Sequence, residues 1–369
     1  RQSLINNGFD IDALSGAGGK ADLKGISDEA KVWKTVWSAG FGVVNSKTKT
    51  PATAETVYRV GSVSKLFTDI AVMQLVERGE LDLDADIREL LPSFQPENPH
   101  KKPLTLRQLM SHRSGLVRES PVGNYFDPTE PSLAATVASL NQTKLVYPPN
   151  TRTKYSNAGV SVVGFALQTK TKVGFEQYLK QTFLDPIGMN DSSFERTKNI
   201  DASLAEAWMW TVDGRRFVAP KFALGTAPAG SLYSSVNDLS IFLKVIFNGG
   251  KLGDLEVIKA ATLKRMMTAT KDADGKPRSF GIGFSLSDFE GQKSIGHGGA
   301  IYGFSTQLRA LPVSKLGVAA VTSLDGANGV VRRLTDYALR LLLARKNGTE
   351  LPSYERSKPL STKLARELS

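Results

Sequence analysis

The sequence predicts an α/β (α+β) protein in which one sheet is completed by both ends of the chain and a mostly helical domain is inserted into it. Three observations lead there. Strand-like apolar patterns occupy Val32–Val44 and Val57–Val60 near the start, and return between Gly281 and Thr322 near the end. Between them, from about residue 61 to residue 275, apolar residues recur at helical steps in several segments. A closing helix over Val330–Arg345 places Val331, Leu334, Ala338, Leu341 and Leu342 on one face. The expected organisation is a sheet domain from residues 1–60 and 276–346, a helical domain over 61–275 with Ser62 at the junction, and a polar tail or linker over 347–369.

Taken in order, residues 1 to about 30 are rich in Gly and Asp and form a loose lead-in. Val57, Tyr58 and Val60 make a short strand before Ser62. From there the period becomes helical through Val63, Leu66, Phe67, Ile70, Ala71, Leu75 and Val76, and Gly79 ends the run. Thr105 with Gln108 forms a capping box opening a short helix up to Gly115. Helices follow over 132–140, 158–170, 174–184 and 236–248, then strands over Gly281–Leu286, Ser294–His297, Phe304–Leu311 and Leu316–Thr322.

With 369 residues, 41% of them hydrophobic and 22% charged, the chain is ordinary globular material able to bury a large core. No apolar run reaches the length of a membrane span. The net charge of +11 is spread along the chain with acids interspersed, as on a solvated surface, and no basic block interleaved with aromatics points to nucleic acid. Cysteine is absent, which excludes disulfides and thiol catalysis. The three histidines, His100, His112 and His297, have no metal-ligand spacing, so neither metal nor cofactor is expected.

Three motifs carry chemistry: Ser62-Val-Ser-Lys65, Tyr155-Ser-Asn157 and His297-Gly-Gly299. A serine and a lysine three apart share one helix face, and a lysine able to lose its proton activates the hydroxyl as a nucleophile. At a helix N-terminus the Ser62 N–H is a natural oxyanion donor. Tyr155 supplies a second proton carrier, and Asn157 an amide able to hold lysine or substrate or to cap the helix that follows. The glycines after His297 let a strand backbone approach a bound carbonyl. A second Ser-x-x-Lys, Ser46 to Lys49, lies in a polar Asn-Ser-Lys-Thr-Lys-Thr-Pro stretch and reads as a turn. The rival G-x-S-x-G elbow occurs nowhere.

In order and surroundings these motifs resemble the SxxK serine hydrolases: penicillin-binding proteins, class C beta-lactamases, D-aminopeptidases and beta-lactamase-related esterases. The neighbourhoods Tyr58-Arg-Val-Gly-Ser-Val-Ser-Lys-Leu-Phe-Thr, Leu109-Met-Ser-His-Arg-Ser-Gly-Leu and Pro228-Ala-Gly-Ser-Leu-Tyr-Ser-Ser match as well, so the resemblance covers roughly residues 33 to 345. It implies a beta-lactamase/transpeptidase-like fold with an antiparallel sheet flanked by helices, and an acyl-Ser62 intermediate. Lys65 and Tyr155 handle protons, Asn157 orients, and Ala300 gives the second oxyanion N–H. His297 stands where beta-lactamases carry the lysine of Lys-Thr-Gly, which leans the substrate toward small esters or amides. D-Ala-type peptidase, aminopeptidase or weak beta-lactamase activity is the alternative, and a catalytically silent scaffold the second. Gly298 and Gly299 line the substrate, and Tyr125, Phe126, Trp208 and Trp210 are candidates for an acyl pocket from loops. His112 reads as structural. The family opens with an apolar strand where this chain has Gly25-Ile-Ser-Asp-Glu-Ala-Lys. The resemblance leans toward an extracytoplasmic location, and self-association stays open.

Overall fold

The computed structural model describes residues 35–271, 275 and 277–353. The strand expected over Val32–Val44 is not formed in its described part. Thr35–Phe41 has no regular structure, and Val43 makes one antiparallel bridge to Pro51. Glycine explains it. Gly40 lies against the Ala52 backbone, where a Cβ would come within 2.3 Å, and Gly42 has φ +79°, which breaks an extended run.

β1 (Tyr58–Arg59) leads into a 3₁₀ turn, Gly61–Val63, and then α1 (Ser64–Glu77). Every α1 residue from Ser64 to Met73 is buried, in keeping with a helix apolar all round. Past its end, Gly79 takes φ +72°. α2 (Leu106–Met110) starts at the expected capping box: the Gln108 N–H donates to Thr105 Oγ1 and the Thr105 N–H to Gln108 Oε1. α3 (Leu133–Ser139) is capped by Ser132, and α4 (Asn157–Thr171) by Ser156. α5 (Phe175–Leu179) continues into a π turn, and α6 (Lys198–Ser203) follows.

The middle region also holds strands that periodicity did not reveal. β2 (Trp208–Trp210) and β3 (Arg216–Val218) form a hairpin. After α7 (Ala227–Gly230), β4 (Tyr233–Ser234) pairs antiparallel with β1. α8 (Val236–Phe247), the small hairpin of β5 (Lys251–Leu252) and β6 (Leu255–Glu256), and α9 (Ala260–Met266) complete it.

The main sheet is antiparallel in the order β10-β9-β8-β7, from β7 (Ser285–Phe289), β8 (Gln292–Ile301), β9 (Phe304–Leu311) and β10 (Leu316–Thr322). Its four strands all come from the C-terminal part. The expected contribution of residues 1–34 to it lies outside the described residues. β7 begins at Ser285, not Gly281. Ile282 and Phe284 alternate with glycines as in a strand and all four residues from Gly281 to Phe284 are buried, but Gly283 has φ +76° and its N–H donates to Met110 O, so the segment anchors the sheet to the helices instead. The closing helix α10 (Asn328–Asn347) packs Leu339 and Leu343 with Leu311 and Leu316. Gly317, on the opposite face, meets Leu243 and Phe247 of α8. One continuous core runs from Val60 and Phe67 through Phe183 and Phe242 to Ile295, Leu308 and Ala310, joining helices to sheet.

Candidate active site

From Arg59 to Met73 every residue is buried except Ser62, which is half-buried. Its turn is fixed on three sides. Gly61 adopts φ +54°, the Val60 N–H donates to Leu232 O at 2.9 Å, and Ser64 Oγ donates to Gly61 O at 2.6 Å while accepting from the Leu232 N–H at 2.9 Å. Ser62 therefore sits in the 3₁₀ turn and not in the α-helix proper. Lys65 follows in the first turn of α1.

Lys65 is wholly buried, and its Nζ lies 3.0 Å from Ser62 Oγ, 2.8 Å from Asn157 Oδ1 and 2.6 Å from the Ala229 carbonyl. Burial pulls its pKa down to about 7. Glu119 and then Asp69 act in the opposite direction, and Arg118 adds to the lowering. A neutral amine has two N–H donors and one lone pair. Two of its three partners, the amide oxygen and the carbonyl, only accept; the hydroxyl can donate.

Asn157 is free for this because Ser156, not Asn157, caps α4: Ser156 Oγ accepts from the Gly159 N–H at 2.8 Å. Asn157 Nδ2 in turn donates to Glu119 Oε1 at 2.7 Å, and the Asn157 N–H to Arg118 O at 2.8 Å. Tyr155 is held by its ring. Lys65 Nζ stands 4.8 Å and Arg118 Cζ 5.2 Å from the ring centroid, and His112 packs on it at 4.2 Å. The phenol is buried, which raises its pKa, while Ser62 acts to lower it. His112 is buried with φ +59°, and its Nδ1 accepts from the Ser156 N–H, so it props the Tyr155–Asn157 segment from behind.

His297 is buried in β8 with its ring 6.0 Å from that of Tyr155. Its Nδ1 is 2.6 Å from the Gly298 carbonyl. A carbonyl only accepts, so Nδ1 carries the proton and Nε2, which has no partner, presents a lone pair. Burial and then Lys65 pull its pKa down to about 4, against the Gly298 hydrogen bond, so the ring is neutral at pH 7. Gly299 is pressed on the Val60 carbonyl, where a Cβ would come within 2.0 Å, and a Cβ on Gly61 would lie 2.9 Å from Ala300 N. The Ser62 turn and the Ala300 backbone are thereby side by side.

The candidate pocket aromatics are placed otherwise. Trp208 and Trp210 lie in a strand, not a loop, and Arg216 stacks over both, leaving Trp210 48% exposed. Tyr125 Oη accepts from the Tyr302 N–H at 2.7 Å and its ring stacks on Tyr302, supporting the β8–β9 turn; Phe126 is 81% exposed. Ser46 is in a turn where Asn45 Oδ1 accepts from the Lys47 and Thr48 N–H groups and Lys49 has φ +59°, so no helix aligns Ser46 with Lys49.

Sequence reading missed Glu119, Arg118 and the Ala229 carbonyl. The signal for the first two was a charged pair, Arg118-Glu119, following Ser114-Gly-Leu-Val117 in the chain. Nothing local ties Glu119 to Asn157. Among the described residues no group of three or more His, Cys, Asp or Glu is placed to hold a metal, and no helix is long and apolar enough to cross a membrane.

Comparison with known proteins places the chain in a family. "Beta-lactamase-like protein 2" of Dictyostelium discoideum is 28% identical over 295 residues, 77% of this chain and 53% of that one. The chain thus spans about half the length of that relative. "Penicillin-binding protein 4" of Amycolatopsis lactamdurans is 25% identical over 320 residues, 84% of this chain and 82% of that one. Among solved structures, the octameric penicillin-binding protein homologue from Pyrococcus abyssi superposes with a TM-score of 0.75 at 28% identity, over 86% of this chain and 73% of that one. The family model described as Beta-lactamase matches residues 33–343, and the chain belongs to that family of serine hydrolases.

Proposed function

We propose that the chain hydrolyses small carboxylic esters or amides through an acyl-Ser62 intermediate. The observation that carries this is the Lys65 amine: wholly buried, with a pKa of about 7, 3.0 Å from Ser62 Oγ, and with its other two partners able only to accept. In its neutral form both N–H groups are used, and the lone pair is left for the serine proton. Ser62 Oγ forms the bond to the substrate carbonyl carbon as its proton passes to Lys65 Nζ. The oxyanion is met by the N–H groups of Ser62 and Ala300. The proton then goes to the leaving oxygen or nitrogen, directly or through Tyr155, whose raised pKa suits it to hand a proton on rather than stay ionised. Water repeats the sequence in reverse roles and frees the acid.

The preference for substrates without a carboxylate rests on His297. A neutral ring whose Nε2 carries a lone pair attracts no anion, and Gly298 has no hydroxyl to assist. The test is intact-protein mass spectrometry after a fluorophosphonate, beside turnover of p-nitrophenyl esters, a D-alanyl anilide and a chromogenic cephalosporin. One adduct on the Ser62 peptide is expected, with esters turned over best. An adduct elsewhere, or one that persists in Ser62→Ala, overturns the assignment.

A further inference from the structure

Asn157 stands between a donor and an acceptor-only group. Lys65 Nζ donates to its Oδ1 at 2.8 Å, and its Nδ2 donates to Glu119 Oε1 at 2.7 Å. Only one of the two amide orientations satisfies both neighbours. With the amide flipped, Nδ2 would face the Lys65 amine and Oδ1 the carboxylate. The choice is made by Glu119, since a carboxylate can only accept. Arg118 acts on the same groups from the other side. Its carbonyl accepts from the N–H groups of Asn157 and Ala158, its guanidinium lies 5.2 Å from the Tyr155 ring centroid, and its Nε is 3.2 Å from Glu119 Oε1.

We propose that Glu119, with Arg118 set against it, is the positioning residue of this site: it locks the Asn157 amide toward Lys65 and sets the charge balance around the Lys65 amine. The inference rests on the reading of Lys65 as the base. The charged and titratable groups facing Lys65 are Asp69 on its own helix, Arg118 and Glu119 on the loop after α2, Tyr155 before α4, His112 after α2 and His297 on β8. The two histidines are held neutral by burial, and the wholly buried Asp69 is pushed well above the ordinary carboxylate range. That leaves Glu119 and Arg118 as the pair of opposite charges that can be changed one at a time. Glu119 favours the ammonium and Arg118 disfavours it.

The experiment combines pH profiles of kcat/KM on p-nitrophenyl acetate with 13C NMR titration of the Lys65 Cε in a Ser62→Ala background, where no turnover occurs. In Glu119→Gln the amide oxygen can still accept from Asn157 Nδ2, but the charge is gone. The acid limb and the NMR midpoint should both move to lower pH by about half a unit or more. In Arg118→Gln, a change at a side chain 61% exposed, both should move to higher pH. Glu119→Ala loses the orientation as well, so its alkaline plateau should fall about tenfold further than that of Glu119→Gln. The proposal is overturned if the NMR midpoints do not move in opposite directions, or if the Ala and Gln plateaus coincide. Should Glu119→Gln fail to fold, the direction of the Arg118→Gln midpoint decides alone. NMR midpoints that move while the kcat/KM limb stays fixed uphold the positioning role and overturn Lys65 as the base.

Discussion

A lysine three residues from a serine is a base only if something removes its charge, and here burial does so: no residue of α1 up to Met73 reaches solvent. The sign for activity follows. Lys65 is an ammonium below about pH 7 and an amine above it, so kcat/KM should rise with pH through a midpoint near 7 and level off beyond. Lys65→Arg, which stays charged at every working pH, should lose about a hundredfold or more at pH 8 and show no such rise. A rise surviving in Lys65→Arg would assign it to another group. His297, with a pKa of about 4, should contribute no step near neutrality. His297→Lys would place an ammonium where the lone pair is, and a charge-assisted contact is worth roughly 1.5–3 kcal/mol, or about ten- to a hundredfold. The variant should therefore gain more on a chromogenic cephalosporin than on an ester of similar size. Equal gains would show that the carboxylate is not what the site lacks.

At the scale of elements, the long segments were legible because their apolar residues repeat at one period and their ends carry caps: α1, α4, α8 and the Thr105–Gln108 box lie where periodicity put them. Of the short strands, β1 was legible in Val57–Val60, but β4 and the β2–β3 hairpin were not, because two- and three-residue strands are too short to show a period and are made by pairing, β4 with a strand far back along the chain. Glycine accounts for the two misplaced strands. Gly40 and Gly42 fold the chain back before it can extend, and Gly283 turns an alternating Ile282–Phe284 pattern into an anchor. The site divides the same way. Ser62, Lys65, Tyr155, Asn157 and His297 were readable as motifs, whereas Glu119 and the Ala229 carbonyl act across 38 and 164 residues and leave no local spacing. The duplicate Ser-x-x-Lys shows what a motif needs from its element. Ser46 lies in a turn, its N–H donates to Glu206 Oε2, and no helix sets Lys49 beside it. Ser46→Ala should keep kcat/KM within about twofold, and a hundredfold loss would place the nucleophile on the wrong segment.

At the scale of the molecule, the candidate site is a seam between the starts of α1 and α4, where Ser62 with Lys65 and Tyr155 with Asn157 lie, and the strand β8 that carries His297 and Ala300. Its width is set by backbone against backbone. A Cβ on Gly299 would come within 2.0 Å of the Val60 carbonyl, which is fixed to the turn that presents Ser62; real Cβ contacts essentially never fall below 3.0 Å. Gly299→Ala must therefore push β8 away from the turn by an ångström or so, and the Ser62 and Ala300 N–H groups proposed to meet the oxyanion part with it. Removing one well-placed donor from an oxyanion site costs about 10²–10³ in kcat. Gly298 makes the control from the same strand. Its added Cβ would meet Gln307 Oε1 at 3.3 Å, the end of a flexible side chain that can move aside. Gly299→Ala should thus lose about a hundredfold or more in kcat on p-nitrophenyl acetate, with Gly298→Ala losing far less. Circular dichroism and thermal melts of both variants would separate a widened seam from a lost fold. If both variants stay folded and their kcat values fall equally, the seam is not held by the Gly299–Val60 contact, and the pairing of Ala300 with Ser62 as oxyanion donors fails with it.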